Sequence, residues 1–422
     1  MSSIVYLGTF LFALLGGPIF AVMSLFAISA FMFAEIDISA VAVEIYRIAS
    51  SPTLLTIPLF TFAGYLMAES KSPERLLKLA NAALGWLPGG VAIVSLIICA
   101  FFTAFTGASG VTIIALGGLL YPMLTKEGYD EQFTLGLITT SGSLGLLFPP
   151  SLPIILYGII AKVDIDKLFL AGILPGVLLI IILSAWSIYC GKRAFATKER
   201  KKFSWDELKE ALWNSRYELP LPIIVLGGIY GGFVTATEAS ALTALYVLIM
   251  VCFLYKDLSF TKKVPLVIKE SQTLVGAILL ILCCALGLTN YLVDEEIPMQ
   301  ILEYMKEFIT NKYVFLLFLN LFLLLVGAMM DIFSAIIVVV PLILPVAEEF
   351  GINPIHLAII FLTNLEIGYI TPPVGINLFI SSFRFKKPVL SLYKASVPYL
   401  ILMLIALVVI TYVPVLSLVW FE

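Results

Sequence analysis

The chain has 422 residues, of which 61% are hydrophobic and 13% are charged, and its formal net charge is -3. Soluble domains carry charge on about a quarter of their residues. The mean hydropathy of +1.08 exceeds what a soluble protein of this size can bury, because its surface must meet water. The composition excludes a soluble enzyme, and without a basic stripe it argues against nucleic-acid binding. It predicts an all-α polytopic membrane protein in a lipid bilayer.

Metal chemistry has little support in this sequence. The five cysteines lie in or beside apolar runs without the spacing of metal ligands, and His356 is the only histidine. We therefore interpret the cysteines as small buried hydrophobic residues.

Twelve apolar segments follow one another along the chain. They cover residues 4–17, 18–35, 54–69, 88–125, 132–160, 169–190, 218–234, 237–255, 266–290, 313–347, 354–383 and 391–420. The longest polar stretch, 192–217, separates two halves of similar length and includes a predicted cytoplasmic linker at 196–217. The sequences of 72–84 and 203–217 are amphipathic, which predicts helices in the membrane interface or braces for neighbouring segments.

Two apolar segments are too long for one span and are interrupted midway. Segment 88–125 is interrupted at 106–110 and segment 313–347 at 327–331, which leaves arms of about 15 residues. Arms of that length reach roughly 22 Å. The pattern predicts two re-entrant hairpins that turn near the membrane midplane.

The segment after each hairpin contains a Pro-Pro pair. These pairs lie within 132–160 and 354–383. Proline removes a backbone donor and disfavours helix in the residue before it. We therefore expect two helices that are broken near their middles.

The two halves align without gaps at an offset of 223 residues. The matched positions are Pro122 with Pro345, Gly128 with Gly351, Gly145 with Gly368, and Pro149 and Pro150 with Pro372 and Pro373. The alignment predicts a duplicated unit, with one repeat at 1–195 and a second repeat at 218–422.

The second repeat is predicted to be inverted. Five spans separate the two hairpins, and an odd number reverses the orientation. With 192–217 in the cytoplasm, 20 of the 25 Lys and Arg residues fall on the cytoplasmic side, as the positive-inside rule requires. Both termini would then lie outside. Inverted repeats with broken helices hold substrate and ion at the midplane and move one part against another.

Four unwound places, the two hairpin tips and the two breaks, are the candidate site. Their free carbonyl groups suit Na⁺, and helix N-termini that face the same cavity suit a carboxylate. Hydroxyl and amide side chains cluster there, as do glycines that allow the backbone to bend: Thr106, Ser109, Ser141, Ser143, Ser151, Asn364 and Thr371, with Gly107, Gly110, Gly145, Gly327 and Gly368. Small and hydroxyl residues also serve close helix packing.

Ionisable residues at membrane depth are functional candidates. Asp331, at the second tip, could be a cation ligand, a gate or a proton carrier, and Glu366 lies beside the second break. Glu238 follows Thr235 with the spacing of a capping box, which favours a structural role. Arg47, before the third span, either steers an anion or anchors the chain at the interface.

Four runs resemble the large membrane subunit of TRAP transporters, the DctM type. They are TGASGVTIIALGGLLYPMLTKEGYD (106–130), GLLFPPSLPIILYG (145–158), GGFVTATEASALTALY (231–246) and GINPIHLAIIFLTNLEIGYITPPVGINLF (351–379). The resemblance implies a Na⁺-driven secondary importer of the bacterial inner membrane that works as an elevator. A periplasmic binding protein would deliver an organic acid, a C4-dicarboxylate or a sialic acid. A separate small subunit of four helices would bind this chain.

The resemblance also implies two Na⁺ sites, one around Thr106, Ser109 and Gly145 and another at Gly327, Gly368 and Thr371, with Asp331 near substrate. With the residue pattern, this gives predicted Na⁺ ligands at Thr106, Gly107, Ser109, Ser143, Gly145, Gly327, Gly368 and Thr371. Predicted substrate contacts are Ser109, Ser151, Asp331 and Arg47. The sequence departs from relatives at the first tip, which reads Thr106-Gly107-Ala108 where several have Ser-Gly-Ser, and at Glu366, where an apolar residue is expected.

Two other functions remain open at this point. A self-sufficient Na⁺- or H⁺-coupled carboxylate transporter of the divalent-anion-symporter type would need no partner, although the tips lack the Ser-Asn-Thr signature of that type. A membrane scaffold or sensor would have no use for duplicated broken helices.

Overall fold

The computed structural model describes residues 2–34, 50–87, 89–194, 203–300 and 311–421, with isolated positions at 39, 43, 46, 303 and 309. The described residues form helices joined by turns and short loops, with no strand among them. Seven helices of this part are long and apolar enough to cross a membrane, or eight if the first broken helix counts as one span. The predicted all-α membrane fold is confirmed.

The helices of the first half include α4, which has the bounds of the predicted amphipathic segment 72–84. They are α1 (Ser2–Leu14), α2 (Ile19–Phe33), α3 (Thr56–Glu69), α4 (Ser72–Leu84), α5 (Gly90–Thr106), α6 (Ser109–Glu127), α7 (Glu131–Ser141), α8 (Leu152–Ala161) and α9 (Ile165–Ala194).

The second half begins with a short amphipathic helix. Its helices are α10 (Trp205–Asn214), α11 (Pro220–Tyr230), α12 (Ala236–Leu254), α13 (Val264–Asp294), α14 (Lys312–Met329), α15 (Ile332–Glu349), α16 (Pro354–Gly368), α17 (Ile376–Phe385), α18 (Val389–Tyr412) and α19 (Val415–Leu418). Helices α11 and α12 each contain a π-helical turn.

Hairpin 1 is formed by α5 and α6, and hairpin 2 by α14 and α15. Two residues separate the arms in each, at 107–108 and 330–331, so each tip is tighter than the five-residue interruption in the sequence suggests. The arms are accordingly 17, 19, 18 and 18 residues long. They are longer than the expected 15 because helical backbone continues up to the turn on both sides.

Broken helix 1 is formed by α7 and α8, and broken helix 2 by α16 and α17. A 3₁₀ turn at Leu144–Leu147 interrupts the first, whose two parts are bent by 42°. An irregular loop at 369–375 interrupts the second. Each break contains its Pro-Pro pair, with a cis peptide bond between the two prolines. The predicted broken helices are confirmed.

The packing between the halves is reciprocal. Helix α15 of hairpin 2 packs on α8 of broken helix 1, and α6 of hairpin 1 packs on α17 of broken helix 2. In the same way α18 packs on α7 and α9 packs on α16. Each contact has a counterpart at the 223-residue offset, as an inverted repeat requires. The exact boundaries of the two repeats stay predictions.

Candidate functional site

The tip of hairpin 1 turns on a glycine. Gly107 ends α5 in the left-handed conformation, with φ of 65°, and its N–H donates to the Thr103 carbonyl at 2.8 Å. A Cβ atom at this position would lie 2.3 Å from Cδ1 of Leu152, the first residue of α8. Glycine is therefore required both by the turn and by the close approach of broken helix 1.

Buried oxygen atoms join this tip to the first break. The Thr103 hydroxyl lies 2.7 Å from the Gly142 carbonyl oxygen and 2.8 Å from the Thr112 hydroxyl. The Thr106 hydroxyl lies 3.4 Å from that of Thr112. All three threonines are buried. This is the donor chemistry that a Na⁺ ion accepts from a protein, and it includes Thr103 and Thr112, which the sequence prediction missed.

Ser109 links the first tip to broken helix 2. Its hydroxyl donates to Oδ1 of Asn377 at 2.7 Å, and Nδ2 of Asn377 donates to the Thr139 carbonyl at 3.2 Å. The Thr139 hydroxyl in turn donates to that of Ser381 at 2.9 Å. The predicted Ser109 therefore lies where the two repeats meet. Asn377, which accepts its hydrogen bond, was not predicted.

The other predicted residues of the first half lie in the break of broken helix 1. Ser143 is buried, and its hydroxyl donates to the Thr140 carbonyl at 3.2 Å. A Cβ atom at Gly145 would lie 2.2 Å from the Ala100 carbonyl oxygen on α5, so this glycine allows the break to touch hairpin 1. Ser151 is buried before α8, and its hydroxyl has no hydrogen-bond partner among the described residues.

In the second half, the contact between the break and the hairpin arm has a glycine on each of the two segments. A Cβ atom at Gly368 would lie 2.3 Å from the carbonyl carbon of Gly327, and one at Gly327 would lie 2.9 Å from Cα of Leu365. The counterpart of Gly327 at the offset is Ala104, whose backbone nitrogen would lie 2.4 Å from a Cβ atom at Gly145. The Gly327–Gly368 contact of the second half therefore has the Ala104–Gly145 contact as its counterpart in the first half.

Asn364, on α16, presents an unused oxygen in this region. Its Nδ2 donates to Oδ1 of Asn320 at 2.7 Å and to the Ile360 carbonyl at 2.8 Å. Nδ2 of Asn320 donates to the Thr411 hydroxyl at 3.1 Å. Oδ1 of Asn364 is buried and has no hydrogen-bond partner among the described residues. A buried polar atom without a partner is costly, which makes this oxygen a candidate cation ligand.

The loop of broken helix 2 contacts both hairpin tips. The N–H groups of Val374 and Gly375 donate to the Ala328 carbonyl of tip 2 at 3.3 and 3.2 Å. Asn377, the second residue of α17 directly after this loop, accepts the bond from Ser109 of tip 1. Thr371 lies in this loop, half-buried, and its hydroxyl donates to the Ile367 carbonyl at 2.8 Å. One short loop therefore brings the two tips to the same place.

Asp331 has a structural role that sequence reasoning did not weigh. It is the N-cap of α15, and Oδ1 accepts hydrogen bonds from the backbone nitrogens of Phe333 and Ser334, both at 3.0 Å. Oδ2 accepts a hydrogen bond from the Ser334 hydroxyl. The carboxylate therefore stabilises the start of the second hairpin arm. Its predicted contact with substrate stays a prediction.

The remaining predicted residues divide into three cases. Arg47 lies outside the described residues. Glu238 forms the expected capping box with Thr235, which confirms its structural role. Glu366 is fully buried in α16. In the part of the chain that the structure describes, no group of three or more His, Cys, Asp or Glu side chains could hold a metal ion.

A cluster of charges that was not predicted holds the segment before hairpin 1. Nε of Arg75, on α4, lies 2.6 Å from Oε1 of Glu218, and Nη2 lies 2.7 Å from Oδ2 of Asp257. Ser72 and Tyr255 donate to the two oxygens of Glu218, and burial followed by the Glu218 bond raises the pKa of Tyr255. The partners are far apart in sequence, so no local pattern indicates them.

This fold and these motifs agree with a comparison to known proteins. Residues 5–416 match the family described as the tripartite ATP-independent periplasmic transporter, DctM component. The chain belongs to this family. It is therefore a TRAP transporter large permease and a multi-pass inner-membrane protein, and the family implies a small membrane subunit and a periplasmic binding protein as partners.

Named relatives differ in substrate. The chain is 36% identical to the isethionate TRAP transporter permease DctMQ of Oleidesulfovibrio alaskensis, covering 96% of this chain but 64% of that protein. It is 35% identical to the C4-dicarboxylate large permease DctM of Pseudomonas aeruginosa, covering 93% and 91%. It is 31% identical to the sialic acid large permease SiaM of Vibrio cholerae, covering 86% and 84%.

A solved structure shares the fold. The YdaH transporter of Alcanivorax borkumensis matches with a TM-score of 0.61 over 86% of this chain and 84% of that one. Its sequence identity is 14%, so the likeness concerns the helical architecture alone.

Proposed function

We propose that this chain imports an organic acid by Na⁺ symport, as the large permease of a binding-protein-dependent transporter that works as an elevator. The observation that carries the proposal is the meeting of both hairpin tips at the loop of broken helix 2, through the Ser109–Asn377 bond and the Ala328 contacts. Broken helices and hairpin tips that meet at mid-membrane are the arrangement in which secondary transporters bind ion and substrate.

The first Na⁺ site would lie between tip 1 and the first break. Its ligands would come from Thr106, Gly107, Ser109, Ser143 and Gly145, with the Thr103 and Gly142 oxygens beside them. The second would lie between tip 2 and the second break. Its ligands would come from Gly327, Gly368 and Thr371, and the unpartnered Oδ1 of Asn364 would be a further ligand. The proposed ligands of both sites are neutral oxygens, so they would not cancel the charge of a bound Na⁺ ion. That positive charge would attract the carboxylate of an organic acid nearby.

The proposed substrate class is an organic anion. The candidate contacts Ser109, Ser151 and Asp331 supply hydroxyl groups and a capped carboxylate, and the bound Na⁺ ions would supply positive charge for an anion. The relatives named for isethionate, C4-dicarboxylates and sialic acid are consistent with an organic anion. Discrimination among such anions would belong largely to the binding protein.

The partners can be tested by purification from the native membrane in mild detergent, followed by mass spectrometry. We expect one small membrane protein of four spans at a 1:1 ratio. A chain that purifies alone, or only with itself, would contradict the multi-component assembly and favour the self-sufficient carboxylate transporter.

The second ion site can be tested with Thr371→Ala in proteoliposomes that contain the whole transporter. We expect the Na⁺ concentration for half-maximal uptake to rise several-fold. Thr273→Ala is the matched control, because that hydroxyl makes the same bond to the carbonyl four residues earlier but lies exposed on α13. Equal Na⁺ dependence in the two variants would overturn the assignment of Thr371.

A further inference from the structure

A charged cleft lies away from the candidate ion sites, between two amphipathic helices. Helix α4 packs on α5, the first arm of hairpin 1, and α10 packs on α4. The two helices and the adjoining Arg216 and Tyr255 line a cleft of about 750 Å³. It belongs to the side of the chain that the distribution of Lys and Arg predicts to be cytoplasmic.

The two helices turn their polar faces toward this cleft. The lining residues lie at 71, 74, 75, 78, 81 and 82 on and just before α4, and at 207, 210, 211 and 214 on α10. Steps of three and four residues keep each set on one helix face. The opposite face of α4 is apolar and buried, with Leu76 and Leu77 packed into the protein. The cleft is therefore a polar space beside the membrane-spanning part of the chain.

The charges of the cleft are balanced but kept apart. Arg75 is occupied by Glu218 and Asp257. The other charged lining residues are three cations and three acids: Lys71, Lys78, Arg216, Glu74, Glu207 and Glu210. In the described part of the chain, no ion pair joins these cations to these acids. Such a lining matches a ligand that carries both a negative and a positive charge.

One of the cations is held ready for a phosphate. The guanidinium of Arg216 lies 4.5 Å from the ring centres of both Trp213 and Tyr217, and its Nη1 donates to the Trp213 carbonyl at 2.8 Å. Contact with aromatic rings fixes a guanidinium and leaves its other N–H groups for an acceptor. Arginine matches the geometry of phosphate through two parallel hydrogen bonds. The two lysines of α4 add positive charge to the same cleft.

Aromatic side chains around the cleft indicate a lipid and not a soluble ligand. The face of α10 away from the cleft carries Trp205, Leu212 and Trp213, all exposed. Trp86 and Phe203, which follow α4 and precede α10, are exposed as well and contact each other with ring centres 6.2 Å apart. Tryptophan is enriched at the headgroup level of membranes, and amphipathic helices lie in that plane. A helix α10 in this plane places the cleft at the depth of lipid headgroups.

We propose that the cleft between α4 and α10 binds one phospholipid with a zwitterionic headgroup, phosphatidylethanolamine of the cytoplasmic leaflet. Its phosphate would meet the cations Lys71, Lys78 and Arg216. Its ammonium group, which has three N–H donors, would meet the carboxylates of Glu74, Glu207 and Glu210.

The same lining disfavours the other common headgroups. Phosphatidylglycerol has no positive charge for the three acids, and the trimethylammonium group of phosphatidylcholine has no N–H to donate. The bound lipid would join α10 to α4 and so brace the segment before hairpin 1, in addition to the Arg75 ion pairs. The proposal does not depend on the ion or the substrate that the chain transports.

Binding is tested by native mass spectrometry on the transporter purified with its partners in mild detergent and stripped of lipid. The probes are phosphatidylethanolamine, phosphatidylglycerol and phosphatidylcholine with the same acyl chains. We expect one phosphatidylethanolamine to bind several-fold more tightly than the other two. Equal binding of all three, or tighter binding of phosphatidylglycerol, would overturn the proposal.

The cleft is located by two double variants that each remove two cations. Lys71→Gln with Lys78→Gln should weaken phosphatidylethanolamine binding by about tenfold or more, because each cation near a membrane surface contributes substantially. Lys262→Gln with Lys263→Gln removes two exposed lysines of the same predicted side outside the cleft and should leave binding unchanged. Equal weakening in the two double variants would show a general surface attraction and would overturn the site.

The acids and the source of the ligand are tested in the same way. Glu74→Gln with Glu210→Gln should abolish the preference for phosphatidylethanolamine over phosphatidylglycerol, and an unchanged preference would contradict the role of the acids. Phosphatidylethanolamine should also raise the unfolding temperature of the purified transporter, because a ligand of the folded state stabilises it. Soluble glycerophosphoethanolamine should not. An equal rise with the soluble compound, or no rise with the lipid, would overturn the proposed lipid brace.

Discussion

The two hairpin units of this TRAP large permease share one packing contact but differ in exposure and chemistry. In each, a glycine of the break, Gly145 or Gly368, lies against the backbone of a hairpin arm. Yet Ser151 is fully buried, whereas its counterpart at the offset, Val374, is 38% exposed. In the proposed transport cycle, such a difference would let one break face solvent while the other is closed.

The chemistry of the two tips differs as well. Tip 2 begins its second arm with the charged N-cap Asp331, while the equivalent residue of tip 1, Ala108, makes no side-chain cap. Tip 1 bonds across to the other repeat through Ser109, whereas Asn364, beside tip 2, bonds to Asn320 of its own repeat. The duplication therefore preserved the backbone contact and let the side chains diverge.

The largest expected effect on uptake comes from filling the shared contact. Gly368→Ala and Gly145→Ala each place a Cβ atom 2.2–2.3 Å from backbone atoms, and overpacking of this kind costs about 1–3 kcal/mol. We expect both variants to lose Na⁺-dependent uptake about tenfold or more, equivalent to ~1.4 kcal/mol. Gly276→Ala, where nothing lies within 4 Å, is the control. Loss of uptake in only one of the two variants would contradict the equivalence of the two contacts.

The largest expected effect on stability comes from breaking the anchor of the segment before hairpin 1. Arg75→Ala leaves Glu218 fully buried without its cation, and removing one partner of a buried ion pair costs about 3–5 kcal/mol. We expect a lower unfolding temperature of the detergent-solubilised chain. Lys167→Ala, which removes an exposed pair with Asp164, should leave it nearly unchanged. Similar effects of both substitutions would contradict the anchoring role.

The difference in exposure can be measured with thiols. A membrane-impermeant maleimide should modify Val374→Cys at least about tenfold faster than Ser151→Cys, because exposing the buried thiol would need ~1.4 kcal/mol or more. The unsubstituted chain is the blank for the five native cysteines. Equal rates would show that the two breaks are equally accessible and would remove the asymmetry.

The smallest expected effect concerns Asp331 at tip 2, where two substitutions distinguish its role as a helix N-cap from a role of its charge. Asp331→Ala should lower stability by about 1 kcal/mol, since it removes an N-cap. Asp331→Asn should keep the stability, because asparagine caps helices as well as aspartate does. If the charge also serves the substrate, the substrate concentration for half-maximal uptake rises in both variants. An unchanged value in Asp331→Asn would restrict Asp331 to the cap.

Much of this fold could be predicted from local patterns. Proline has the same backbone effect wherever it occurs, so the two Pro-Pro pairs located the breaks. The glycines at the 223-residue offset marked the same places, but their close contact with the hairpin arms was not predicted. The predicted hairpin arms were shorter than the observed ones. A glycine-rich sequence at a tip does not reveal that only two residues leave the helix.

The side-chain partners could not be predicted in the same way. Ser109 and Asn377 are 268 residues apart, and Arg75 and Asp257 are 182 apart. Nothing in one segment specifies which distant segment will face it. The unpartnered oxygen of Asn364 is likewise a property of the packed structure, since it depends on what the neighbouring helices fail to supply.

The most direct test of the account is substrate uptake by proteoliposomes that contain this chain, its small subunit and the binding protein. Each component is omitted in turn, and Na⁺ is replaced by K⁺. The account predicts uptake only with all three components and an inward Na⁺ gradient. Uptake by this chain alone, or undiminished uptake in K⁺, would contradict it.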